Sequence, residues 1–185
     1  MPAFPAKRTR FAPATPTTVV VPRTFASVHV GLVRFLLVGF THVPPTLRPR
    51  AGCANASVTA AGSDRPQVAL TFDDGPGPYT AKVARILQRA GAGATFFELG
   101  GQVAGNSATV RAVADAGFEV ADHTQTHPRL PGLSPAGQRA QVDDAAAMLR
   151  NTGVEPAPLF RPPFGVTDRS TRGYVRSRGL LMVLW

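Results

Sequence analysis

"QVALTFDDGPGPYTAKVARILQRAG", residues 67–91, decides the fold because its hydrophobic period changes partway along. "QVALTF" is a short apolar run of strand length. "YTAKVARILQRAG" then carries Val83, Ile86, Leu87 and Ala90 at helical spacing, with Gly91 as a stop. A strand therefore leads into a helix through "DDGPGP" (73–78). Asp73 and Asp74 set two like charges at the end of what reads as a buried strand.

The alternation repeats downstream. "ATFFEL" (94–99) predicts a second strand and "NSATVRAVADAG" (106–117) a helix closed by Gly117. "FEVADHT" (118–124) is a third strand, followed by a helix over 134–153 opened by Ser134 and Pro135. "PLFRPP" (158–163) is a short fourth strand, "DRSTRGYVRSRG" (168–179) a fourth helix, and "LLMVLW" (180–185) a fifth strand. Strand-helix units of this length predict an α/β fold with a parallel sheet and helical crossovers, either doubly wound or rolled into a barrel. In both, functional groups gather at the carboxyl ends of the strands. Asp73 and Asp74 follow the first strand, His123 and His127 the third, and Arg161 ends the fourth, so all five fall at one end.

The chain has 185 residues, 44% of them apolar, which suits one globular domain and a tail. Its charge of +9 is uneven, with eight basic residues and one acid in residues 1–66 against twelve and ten in 67–185. The basic tail is rich in proline and has no recognition helix, which argues against nucleic-acid binding. "FASVHVGLVRFLLVGFTHV" (25–43) is long enough to span a membrane, but Arg34, His29 and His42 interrupt it and make a stable span costly. An export signal fits better. Basic residues precede the stretch, and "CANA" (53–56) offers an Ala-x-Ala cleavage pattern ending at Ala56. The expected organisation is a basic tail and export signal over 1–56, a linker over 57–66 and a folded domain over 67–185, secreted or associated with the cell envelope. Cys53 is the only cysteine, so an internal disulfide and a thiolate metal cluster are both excluded.

In "DHTQTHP" (122–128), Pro128 disfavours helix at the residue before it, so the two histidines are expected on a loop or single turn. Two neutral imidazoles and one carboxylate make a three-ligand site for a divalent cation with positions left open. Such a cation acidifies water and polarises a carbonyl. It also accounts for adjacent carboxylates, which can divide the work: Asp74 binds metal while Asp73 takes a proton from water. In "FRPPFG" (160–165), tandem prolines stiffen an extended segment, and a guanidinium from Arg161 near Asp73 would keep that carboxylate ionised and oriented. Phe164 reads either as core or as a wall of the site. The same ligand types serve two-His-one-carboxylate iron oxygenases. Those sites sit on β-sandwich folds, which this alternating chain does not resemble.

"TFDDGP", "HTQTHP" and "RPPFG", in that order, resemble the three N-terminal motifs of the polysaccharide deacetylases of carbohydrate esterase family four, the NodB-like domain, over roughly residues 66–185. The resemblance implies a partial (β/α) barrel of the distorted deacetylase type. It implies Asp73 as catalytic base, Asp74, His123 and His127 as ligands of zinc, with cobalt or a similar ion as the alternative, and Arg161 as the residue that orients the base. Pro163 and Phe164 fall on the substrate side. The family more often has tyrosine at the position of Phe164, but the contribution there to the oxyanion is a backbone N–H, which phenylalanine also offers.

In the family, the chain continues beyond a strand like "LLMVLW" into a motif with an aspartate and tryptophan, then one with a Leu-His pair whose histidine is the general acid. The expectation is thus a C-terminally incomplete domain that lacks its last strands, with an unpaired sheet edge at 180–185. The implied function is a metal-dependent hydrolase that removes N-acetyl groups from chitin-like or peptidoglycan glycans. The alternative is an inactive metal- or glycan-binding remnant.

Overall fold

The computed structural model describes residues 69–185 together with 37–38 and 57–58, so the tail, signal and linker assignments otherwise lie outside the described residues. Its strands are β1 (Leu37–Val38), β2 (Ser57–Val58), β3 (Ala69–Gly75), β4 (Ala94–Glu98), β5 (Glu119–Asp122), β6 (Leu159–Phe160) and β7 (Leu181–Val183). The helices are α1 (Thr80–Arg89), α2 (Gly100–Val103), α3 (Ser107–Asp115), α4 (Pro135–Asn151) and α5 (Arg169–Ser177).

All strands join one sheet in the order β1-β3-β4-β5-β6-β7-β2. The five from β3 to β7 run parallel and curl into a half-barrel, the partial α/β barrel that the strand-helix alternation and the motifs led us to expect. Leu37–Val38, inside the stretch read as an export signal, pairs antiparallel with β3. Ser57–Val58, inside the stretch read as a linker, pairs parallel with β7. That pairing corrects the expectation of an open edge at 180–185, because β2 takes up hydrogen-bonding groups that β7 would otherwise leave free. Among the described residues no helix is long and apolar enough to cross a membrane.

A parallel sheet is covered on both faces, so its strands carry apolar residues in both alternating sets. Phe96 and Val120 face α1, α2 and α3, where they pack with Leu87, Val103, Val110 and Val113. Phe72 stacks on Phe96 with ring centroids 5.0 Å apart. Phe160 and Met182 face α4 and α5 and meet Val142 and Val175. The other set, Phe97, Ala121 and Leu159, lines the concave side.

The helix boundaries follow local chemistry. Ser134 caps α4 by accepting the Gly137 N–H at 3.1 Å, with Pro135 in the first turn. Asp168 caps α5 by accepting the Thr171 N–H at 2.8 Å. Gly91 and Gly117 end their helices with φ of 63° and 87°, as the stops required. Gly100 serves a different need. A Cβ there would lie 2.0 Å from Gln125 Oε1 and 2.7 Å from Ala145 Cα, so only glycine lets α2 approach both α4 and the 124–127 loop.

Candidate metal centre and active site

In a regular strand, Asp73 and Asp74 would point to opposite faces of the sheet. The β3–β4 register prevents this. Asp73 pairs with Phe97 and Gly75 with Glu98, which leaves Asp74 as the extra residue of a bulge. Asp74 takes φ of 67°, a left-handed conformation that aspartate tolerates better than most side chains. Gln102 Nε2 donates to its carbonyl at 3.0 Å and steadies the turn. Asp73 stays on the concave side while Asp74 swings toward the end of β5.

There Asp74 meets both histidines. Its Oδ1 lies 3.4 Å from His123 Nε2 and 3.2 Å from His127 Nε2, and the three ligand atoms fall within 4.8 Å of one another. His123 is buried, and its Nδ1 is 2.6 Å from the Arg161 carbonyl oxygen. A carbonyl only accepts, so Nδ1–H donates to it, and Nε2, facing Asp74, is the nitrogen placed to take a metal. Burial lowers the pKa of His127, with Asp74 opposing, which favours the neutral ring that a metal ligand needs. Ligands about 2.0–2.1 Å from a tetrahedral zinc ion are separated by about 3.3 Å, which the two Asp74–imidazole distances match. The donor types, the direction of the His123 ring and these two distances fit a divalent cation.

Arg161 ties the two halves of the site together. It follows β6, and its N–H donates to the Asp122 carbonyl at 3.0 Å. Only 2% exposed, it directs Nη1 to Asp73 Oδ1 at 2.6 Å and to Thr71 Oγ1 at 2.9 Å. Its guanidinium lies over the Phe97 ring at 4.0 Å and 5.7 Å from Trp185. The side chain thus pairs with one carboxylate while the main-chain oxygen sets the tautomer of a histidine. Pro163 is buried at the start of the short turn Pro163–Gly165. Phe164, at φ 58° and 52% exposed, places its ring 4.7 Å from that of His127, with the Arg129 guanidinium over the Phe164 ring at 5.4 Å. All seven residues singled out from the sequence gather at this one end of the sheet.

The sequence did not point to the residues that shape the turns. Asp122 Oδ1 accepts the Thr124 N–H at 2.7 Å, and Thr124 Oγ1 accepts the His127 N–H at 3.1 Å. An acid or threonine next to a histidine is too common a pattern to stand out. Glu98 was missed as well. It is 1% exposed, and burial, with a smaller contribution from Asp73, raises its pKa from 4.5 to about 8. Burial likewise raises Asp122 from 3.8 to about 7, partly offset by the Thr124 N–H.

A carboxyl group whose folded pKa is raised stabilises the fold fully below its unfolded pKa, and that stability is lost as pH rises through the folded value. For Glu98 the loss runs from about pH 4.5 to about pH 8. Glu98→Gln is therefore expected to melt near wild type at pH 4.5 and to be more stable at pH 8.5, by at most about 5 kcal/mol. Thermal melts across that range check this.

A family model described as polysaccharide deacetylase matches residues 44–183. Among curated proteins, a chitooligosaccharide deacetylase of Bradyrhizobium is 36% identical over 120 residues, which cover 64% of this chain and 55% of that protein. A peptidoglycan-N-acetylglucosamine deacetylase of Bacillus cereus is 34% identical over 119 residues, covering 64% and 55%. Among solved structures, a family 4 carbohydrate esterase from Streptomyces lividans in complex with acetate aligns with a TM-score of 0.60 at 36% identity, covering 62% of this chain and 60% of that one. The chain thus spans just over half the length of these relatives. With the motif residues assembled at one end of a curled parallel sheet and the match extending over most of its length, this chain belongs to the polysaccharide deacetylase family.

Proposed function

We propose that this protein is a metal-dependent hydrolase that removes N-acetyl groups from amino-sugar polysaccharides, chitin-like or peptidoglycan glycans, with zinc as the cation and cobalt as a functional substitute. One observation carries this: a carboxylate paired with a buried arginine stands beside a cluster of two imidazoles and a second carboxylate. Asp74, His123 and His127 would hold the ion. When bound, a divalent cation polarises an acetamide carbonyl and makes water more acidic.

The chain's own groups do the rest. Asp73, aimed by its ion pair with Arg161, takes the proton of the attacking water. Phe164 borders the cluster, and its backbone N–H offers a donor to the oxygen that gains negative charge. The water oxygen bonds to the acetamide carbon, the C–N bond breaks, acetate leaves, and the sugar nitrogen departs as an amine with the proton that Asp73 took from the water. Export to the cell envelope, where such glycans lie, is part of this proposal and is supported by the basic and apolar pattern of residues 1–56.

The test is acetate release from N-acetylglucosamine oligomers and from peptidoglycan by the zinc-loaded protein. Release is expected to vanish on chelation and to return when zinc is restored. A protein that binds zinc yet frees no acetate from either substrate would overturn the assignment.

A further inference from the structure

We infer that Gln141, in the middle of α4, is the positioning residue that sets the place of His127 in the metal centre. The inference rests on the metal site proposed above. The segment from Thr124 to His127 is strained at both ends, with φ of 76° at Thr124 and 59° at His127. For residues other than glycine, such conformations cost roughly 1–3 kcal/mol each and persist only where the surroundings impose them.

Part of that constraint comes from the main chain of α2, since Gly100 N–H donates to the Thr124 carbonyl and Gly101 N–H to that of Gln125. Those bonds hold the first half of the loop. The second half, next to His127, is gripped from α4. Gln141 Oε1 accepts the Thr126 N–H at 2.9 Å and lies 3.2 Å from Thr126 Oγ1. Gln141 Nε2 donates to Thr126 Oγ1 at 3.0 Å, and the Gln141 carbonyl accepts the Gln125 N–H at 2.9 Å.

The Asp122 side chain holds only the start of the loop, its Oδ1 accepting the Thr124 N–H at 2.7 Å, whereas Gln141 holds the part next to His127. Removing the Gln141 amide frees Thr126 and lets the His127 backbone relax from its left-handed conformation. The imidazole then swings away from Asp74. A partner that orients a metal ligand in this manner typically contributes 10–100-fold in affinity.

The experiment uses the whole chain and zinc alone as the probe. Gln141→Ala is expected to weaken zinc binding by about 10–100-fold. It should also speed amide hydrogen exchange at Thr126 in the metal-free protein. Gln141→Glu keeps an acceptor for the Thr126 N–H and hydroxyl, and should restore most of the affinity and the slow exchange. A merely structural role would show in the melting temperature but would not give this selective rescue. Wild-type zinc affinity in Gln141→Ala, or unchanged Thr126 exchange in its metal-free form, overturns the inference, as does a Gln141→Glu protein no better than the alanine variant. Because the exchange measurement needs no metal, it separates this result from a failure of the wild-type protein to bind zinc, which would overturn the proposed function itself.

Discussion

Replacing Asp73 by asparagine is expected to lower the deacetylation rate by about 10²–10⁴ while leaving zinc content unchanged. The amide has the shape of the carboxylate but cannot take a proton from water, so the loss falls on the chemical step. Arg161 adds a second consequence. Its Nη1 lies 2.6 Å from Asp73 Oδ1, and the guanidinium itself is buried, so the substitution leaves a buried cation without its counter-charge. Breaking a buried pair on one side costs about 3–5 kcal/mol, and the partial exposure of Asp73 places this case toward the lower end. Rates measured well below the melting temperature separate the two effects. A variant with wild-type turnover would remove Asp73 from the role of base.

The same substitution one residue later should give the opposite pattern. Asp74→Asn is expected to weaken zinc binding by more than about 100-fold, since losing a direct ligand exceeds the 10–100-fold cost of disturbing a supporting residue. Asparagine is chosen because it tolerates the left-handed backbone that Asp74 adopts, so the bulge survives. Titration of each variant with zinc, followed by turnover at saturating metal, reads the division of labour directly. Equal zinc affinity in the two variants would show that the neighbouring carboxylates do not differ in function.

Much of the site was legible because its residues sit in short, unusual strings. Two acids before Gly-Pro, two histidines four residues apart before proline, and an arginine before paired prolines each end a strand of a parallel sheet, where side chains converge. The helix limits were legible for a local reason too, since Ser134, Asp168, Gly91 and Gly117 act on backbone groups within a few residues. The pairing of β2 with β7 was not legible. Two residues in a polar stretch carry no periodic signal, and only a strand already in place shows where they add.

The linear order of residues was enough to establish the α/β alternation, the end of the sheet where chemistry gathers, and the residue types that meet there. These follow from hydrophobic period and turn chemistry, which act over a few residues. Tertiary structure alone decided that Asp74 leaves the ladder as a bulge, that the Arg161 carbonyl fixes the His123 tautomer, and that α4 reaches back through Gln141 to the loop bearing His127. Each of those depends on a hydrogen bond or strand register between segments distant in the chain, and such contacts exist only once the sheet and its helices have packed.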